Sequence, residues 1–416
     1  MDQTIETRCC IAGGGPAGMV AGFLLARRGV DVVVLEKHKD FLRDFRGDTI
    51  HPSTLELMHE LGLLDEFLKL PHQEMQEIAA KVGNEEVTIA DFRHLPTYCK
   101  FVALMPQWDF LEFIKSRAMR YSNFHLITQA EVTDVINESS KISGVRAKTP
   151  RGQLTVNAPL TIGADGRSSV VRNRAGLMAR DLGAPMDVMW MRLRREPGDP
   201  GQTFGHADRG RILVLLNRDT YWQAAFVFAK GEAEEIRQRG LPAFKHEIAR
   251  LEPYLRDRLD ELKDWKDVSL LTVKVDRLQR WARSGLLCIG DAAHAMSPIG
   301  GVGINLAIQD AVATANILGP ILEQRVPTES ELYRVQQRRN FPTWATQSLQ
   351  IGIQNRVIRR VLANQGSLQL PWAFRLLRRW AWLRRIPARV LGVGFRPEHI
   401  RIERPSVARE RMQEAH

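Results

Sequence analysis

The sequence is poor in cysteine and tyrosine, and its longest uncharged stretch is interrupted by glycine. Four cysteines (Cys9, Cys10, Cys99 and Cys288) occur in 416 residues. They show no metal-ligand spacing, and neighbours such as Cys9 and Cys10 on a strand point to opposite faces. A disulfide framework and a thiolate metal centre are therefore excluded, and the pattern fits buried thiols in a reducing compartment. The stretch from Cys9 to Ala26 is uncharged over eighteen residues, close to the length of a membrane span. Five glycines and Pro16 fall within it, so a spanning helix is not expected. The start of the chain is acidic at Asp2 and Glu6, unlike a secretory signal peptide. A cytoplasmic protein is expected.

Positive charge is plentiful but confined. Lysine and arginine number 59 against 48 acidic residues, a formal net charge of +11. From Arg356 to His416 there are fourteen arginines, no lysine and four glutamates, so this segment alone carries +10. The remainder is close to neutral. A general nucleic-acid-binding coat is excluded by this distribution. At 416 residues the chain has room for two or three domains with a sizeable core.

The stretch that organises the chain is RCCIAGGGPAGMVAGFLLARRGVDVVVLE, Arg8 to Glu36. Its apolar periodicity predicts strand, turn, helix, strand. Gly13, Gly15 and Gly18 stand in Gly-x-Gly-x-x-Gly spacing. The first permits a tight turn, the second lets a pyrophosphate approach the backbone, and the third packs helix on sheet. Pro16 and Ala17 open the helix, whose free amides and positive dipole end suit phosphate. Glu36 ends the second strand, eighteen residues beyond Gly18. A carboxylate there accepts from ribose hydroxyls and repels a 2′-phosphate, so FAD or NAD is favoured over NADP.

Two further landmarks follow. LTIGADGRSSVVRNRAG, Leu160 to Gly176, reads as a strand ending at Asp165 and a basic helix start. SGLLCIGDAAHAMSPIGGVGINLAIQDA reads as a strand ending at Asp291, then a glycine-rich loop into a helix from about Ile304 to Leu318. Such strand ends are where open α/β sheets bind ligands. Between them, Val188–Leu193, Arg211–Leu216 and Tyr221–Phe228 read as strands, the last with both faces buried. Earlier, Pro52 and Ser53 open a helix, Met105–Met119 reads as another, and Ile127–Thr149 as a small strand-rich insertion.

The three motifs in this order resemble the FAD-dependent aromatic hydroxylases of the p-hydroxybenzoate hydroxylase type, which include ubiquinone-pathway hydroxylases. The resemblance covers roughly residues 8 to 340. It implies an α/β fold: a Rossmann-like FAD-binding domain with an interleaved antiparallel-sheet substrate domain and a helical C-terminal tail. The expected division is residues 1–70, 102–180 and 276–340 for FAD, 71–101 and 181–275 for substrate, and 341–416 as a basic helical region.

By position, the resemblance implies that Gly13, Gly15 and Gly18 hold the pyrophosphate and Glu36 the adenosine ribose. Arg46 would touch the cofactor and Gln107 the ribityl–pyrophosphate region. Asp165 would serve FAD and NAD(P)H, and Asp291 a ribityl hydroxyl. Pro298 would lie by the flavin, with Gly301, Gly303, Ile304 and Asn305 placing amides at its N1–C2 carbonyl edge. The implied activity uses NADH or NADPH and O2 to hydroxylate an aromatic or quinone-like substrate through a hydroperoxyflavin. His294 reads as a structural histidine, and no catalytic triad is found. Other chemistry on the same scaffold, halogenation or double-bond reduction, stays open, as does a flavin-binding redox sensor. A halogenase Trp-x-Trp-x-Ile-Pro motif is absent from the middle of the chain.

In the tail, PWAFRLLRRWAWLRR, Pro371 to Arg385, predicts one basic amphipathic helix. It is expected to pack on the FAD domain with its basic face in solvent. Weak contact with an anionic membrane is the alternative.

Overall fold

The computed structural model describes residues 3–42, 49–201, 203–364 and 366–401. The fully buried strand β1, Cys9–Ala12, runs through the glycine turn into α1, Pro16–Arg27. Proline occupies the helix start, where its missing N–H costs nothing, and the chain leaves through Gly29 at φ +86°. Strand β2, Val32–Glu36, is again wholly buried. Helix α2, Pro52–Glu60, also starts on proline. The hairpin of β3, Glu77–Val82, and β4, Glu85–Asp91, precedes α3, Gln107–Ala118. Strand β5, Phe124–Thr128, comes next, then β6, Leu160–Gly163, and the short α4, Val170–Arg174.

Strands β7, Met186–Arg194, β8, Phe204–Asp208, β9, Arg211–Asn217, and β10, Tyr221–Ala229, are followed by α5, Leu241–Leu251. Strands β11, Ser269–Leu271, and β12, Leu286–Cys288, lead to α6, Gly303–Leu322, and α7, Glu329–Ile353. Helices α8, Trp372–Arg379, and α9, Arg385–Gly392, close the described chain.

Five of these strands lie parallel in the order β12-β6-β1-β2-β5, with Ala282–Arg283 added at the edge. The short apolar runs of β1, β2, β6 and β12 fit a sheet covered on both faces, while β5 at the edge is only partly buried. Helices α1 and α6 pack together on one face, in a core that includes Met19, Phe23, Ile308 and Val312. The other face meets a four-stranded sheet built on Glu131–Glu138, Lys141–Thr149, Gly152–Asn157 and Gln3–Glu6. The predicted insertion is thus a hairpin from Glu131, because Ile127 and Thr128 belong to β5 of the parallel sheet.

The second large sheet has the order β11-β7-β10-β9-β8-β3-β4 and is antiparallel except where β8 meets β3. Alternation along β10 splits its side chains between two cores, as its sequence predicted. Phe226 and Phe228 face α5, where Phe244 and Ile248 pack, while Ala225 and Val227 face the opposite way.

The tail departs from expectation. The helix breaks at Trp380, which is extended at φ −122° and ψ 95°, and a 3-10 turn, Ala381–Arg384, separates α8 from α9. Phe374 and Leu377 of α8 pack on Val82 and Val87 of the second sheet, not on the parallel one. Helix α7 runs unbroken through residue 340, where the sequence suggested a boundary. No helix of the described residues is long and apolar enough to cross a membrane.

Candidate active site

The parallel sheet brings the three motifs to one edge. The ladder continues past the strand ends: Gly13 N donates to Leu35 O, Ala164 N to Ala12 O, and Ile289 N to Gly163 O, at 2.7–2.9 Å. Gly13 to Gly15, Glu36, Asp165 and Asp291 therefore all leave the sheet on the same side.

Glycine is required at two of these places for steric reasons. Gly13 sits at φ +107°, and a Cβ there would run into the Ala164 carbonyl. A Cβ on Gly18 would run into the Gly13 carbonyl. Gly15 is different: its backbone is extended at φ −74°, and beyond its chain neighbours no protein atom lies within 4 Å of an added Cβ. The space in front of the α1 N-terminus, beside Pro16 and Ala17, is open to a ligand. An N-terminus with free amides facing open space fits a pyrophosphate. Glu36 is 9% exposed, and its two oxygens accept from Gly14 N at 2.9 Å and His38 N at 3.0 Å.

Gly290 links this cradle to the second one. A Cβ there would come within 3.0 Å of Ala17 Cβ and 3.2 Å of Ala307 Cβ, so the start of α1 and the second turn of α6 meet at this glycine. Asp291 follows on a 3-10 turn, its carboxylate 3.5 Å from the Arg167 guanidinium of the GADGR motif. Pro298 and Gly301 bracket the next 3-10 turn, and Gly303, Ile304 and Asn305 form the first turn of α6. Asn305 has its side chain fully engaged: Oδ1 accepts from His51 N and Thr54 Oγ1, and Nδ2 donates to Thr49 O and Gly301 O. Its backbone, not its side chain, is what the site can offer.

Asp165 has a local task that its sequence did not reveal. Its oxygens accept from Ser169 Oγ at 2.5 Å and from Val170 N and Val171 N, so it caps the start of α4. Burial pushes its carboxyl above the ordinary range, against the opposing pull of Ser169 and these amides. Gln107 opens α3, half-buried. Arg46 lies outside the described residues.

His294 is the structural histidine that its sequence suggested, but sequence reasoning missed its partners Asp310 and Arg339. His294, 1% exposed, meets Asp310 at 2.6 Å and lies beside the Trp281 ring. Asp310 also accepts from Gly290 N at 3.0 Å and from Arg339 Nε at 2.9 Å. Burial would raise the Asp310 carboxyl, but His294 and Arg339 outweigh it and hold it below the ordinary value. The signal available in the sequence was a lone acid in the apolar α6 run, Asp310, opposed by one of the three arginines of α7, Arg339.

Comparison with known proteins agrees with this geometry. The family model described as "FAD binding domain" matches residues 6–347. A 6-methylpretetramide 4-monooxygenase of Streptomyces rimosus is 31% identical over 348 residues, covering 83% of each chain. A dialkyldecalin synthase of Streptomyces rugosporus is 26% identical over 313 residues, covering 73% of this chain and 63% of that one. The crystal structure of PqsL, a probable FAD-dependent monooxygenase from Pseudomonas aeruginosa, superposes with a TM-score of 0.73. It shares 21% identity and covers 86% of this chain and 98% of its own. A Rossmann-like FAD cradle, an interleaved antiparallel sheet and a match over most of its length make this chain a member of the FAD-binding monooxygenase family that acts on aromatic and quinone-like substrates.

Proposed function

We propose that the protein binds FAD along the edge of its parallel sheet and hydroxylates a small aromatic or quinone-like substrate, with NADH or NADPH as electron donor and O2 as oxygen source. The observation that carries this reading is the meeting of the start of α1 and the second turn of α6 at Gly290, flanked by Glu36 and Asp291. Bound FAD would supply the redox chemistry, taking electrons from NAD(P)H and passing them to O2. The chain supplies binding and electrostatics. Gly13, Gly15, Pro16, Ala17 and Gly18 cradle the pyrophosphate, Glu36 the ribose, and Gln107 and Asp291 the ribityl chain, with Arg46 and Asp165 assigned alongside. Amides of Gly303, Ile304 and Asn305 stabilise negative charge at the flavin edge, beside Pro298 and Gly301.

Residues 1–70, 102–180 and 276–340 are assigned to FAD, and 71–101 and 181–275 to substrate. On the second sheet, Val188, Trp190, Val214 and Val227 share the face that also packs Ile299 of the flavin-edge loop. An apolar wall there suits an aromatic ring and excludes water.

The test is oxidation of NADH and NADPH by the FAD-loaded protein, with and without 6-methylpretetramide, phenols, quinolones and quinone precursors. Stimulation with a product gain of one oxygen is expected. Because one relative is named a synthase, conversion without oxygen gain is the result that would replace this reading.

The C-terminal surface supports weak contact with an anionic membrane. Trp344, Trp372, Trp380 and Trp382 are all exposed, whereas every tryptophan before residue 344 is at least half-buried. Among the described residues no carboxylate pairs with Arg379, Arg385 or Arg389 on that surface. Tryptophan favours the membrane interface, and each arginine near an anionic leaflet contributes about 1 kcal/mol. Co-sedimentation with phosphatidylserine vesicles at low salt, lost in W380A/W382A, is expected; no sedimentation of the native protein removes the proposal.

A further inference from the structure

Beyond Leu332 and Val335, the buried seam of helix α7 turns polar: Gln336, Arg339, Thr343, Gln347, Gln350 and, just past its end, Gln354 follow at intervals of three or four residues, and each is at most 5% exposed. Its outer side carries the exposed rings of Phe341 and Trp344. A buried side-chain amide is costly unless hydrogen-bonded, so the seam must have partners. For Gln347, Gln350 and Gln354 they lie in the chain between β12 and α6, with Asp276, which precedes β12, as one further acceptor. Gln347 Nε2 donates to Ala295 O at 3.1 Å and to Asp276 O at 2.9 Å. Gln350 Oε1 accepts from Ser297 N at 3.2 Å, and its Nε2 donates to Ser297 O at 3.0 Å and Ile299 O at 2.9 Å. Gln354 Nε2 donates to Ser297 Oγ at 2.7 Å, and that oxygen also accepts from Ile299 N at 3.3 Å.

This loop is in no sheet, yet its buried backbone groups need partners. Asp276–Leu278 pairs with Ala293 and Ala295, and beyond them Gln350 and Gln354 take over at Ser297 and Ile299. Gln354 also begins a π-helical turn, Gln354–Ile358, a distortion that recurs at functional sites. The turn redirects the chain so that Ile358 packs on the inner face of the second sheet, in the same cluster as Ile299, Val188 and Val227. One helix thus touches both the loop that leads into α6 and the wall assigned to substrate.

We propose that Gln350 and Gln354 are positioning residues: they set the Ser297–Gly301 loop, and through it the N-terminus of α6, against the flavin edge. The inference rests on the assignment of that loop to the flavin. Helix-dipole stabilisation fades within one turn, so a small displacement of Gly303 and its neighbours changes how well a reduced, anionic flavin is held. Retention of FAD depends on the distant pyrophosphate and ribose contacts and is unaffected.

The test uses Q354M, which keeps length and removes the amide, and S297A, which removes the other end of the same bond without enlarging a buried side chain. In the FAD-loaded proteins, each variant retains FAD. The ratio of oxidised to reduced flavin at a fixed dye potential shifts about tenfold, or about 30 mV for a two-electron couple. Amides 297 and 299 lose protection from hydrogen exchange. The double variant moves no further than S297A alone, because S297A already removes the partner of Gln354. If Q354M fails to fold, S297A alone carries the comparison. A native flavin potential in FAD-loaded S297A overturns the inference and leaves the FAD site intact. A native protein whose amides 297 and 299 exchange identically with and without FAD instead removes the flavin-edge assignment, and the inference with it.

Discussion

The amide of Gly14 donates to Glu36 Oε2 at 2.9 Å, tying the glycine turn after β1 to the end of β2. With His38 N on the other oxygen, the carboxylate is held at the rim of the cradle and cannot swing away. Hydrogen bonds to a charged group contribute about 1.5–3 kcal/mol. Replacement of Glu36 by alanine is therefore expected to weaken FAD binding by roughly 10- to 100-fold, read by fluorescence titration. An unchanged dissociation constant would take Glu36 out of the ribose site.

Arg339 stands between two buried carboxylates, Asp310 at 2.9 Å and Glu398 at 3.3 Å. All three are at most 5% exposed. Removing Arg339 leaves Asp310 with His294 and Glu398 with Arg338, so the loss is at most the roughly 3–5 kcal/mol of a broken buried ion pair. Chemical denaturation of R339M should show a loss of up to that size. A change of only a few tenths would mean that water reaches the cluster.

Stability should fall as the solution is acidified below neutrality. Burial lowers the His51 pKa to about 4, against the opposing pull of the Leu391 carbonyl. The unfolded chain takes up this proton near pH 6.5 and the folded chain only near 4, so stability rises with pH across that window. The change amounts to roughly 3 kcal/mol in total. Asp310, depressed in the fold, adds a further loss below the ordinary carboxylate pKa. The midpoint of urea unfolding should fall between pH 6.5 and 4 in the native protein and be flatter in H51Q. Equal slopes in the two would remove His51 as the cause.

The cradle was legible because its residues are chosen by backbone geometry. A positive φ at Gly13 and the contact at Gly18 admit one residue type, so spacing alone reports the turn. Strands β1, β2, β6 and β12 were legible as short apolar runs, whereas the half-exposed edge strand β5 was not. The tail was not: periodicity shows that Phe374 and Leu377 share a side, but not which surface they meet, and the partner proved to be Val82 and Val87. The seam of α7 escaped because apolar periodicity is blind to a helix whose buried positions are glutamines. Asp165 stands where its motif put it, yet only the structure reveals that Ser169, Val170 and Val171 occupy its oxygens.

The most direct test of the FAD cradle is the affinity of the apoprotein of G15A for FAD. Beyond its chain neighbours no protein atom lies within 4 Å of the added methyl group, and the backbone there is ordinary for alanine. The variant should fold with native thermal stability. If a pyrophosphate occupies that space, the methyl group displaces it, and FAD affinity falls by at least tenfold, about 1.4 kcal/mol. Native affinity in a stable G15A protein would mean that FAD does not lie across the N-terminus of α1, and the account of the site would fail.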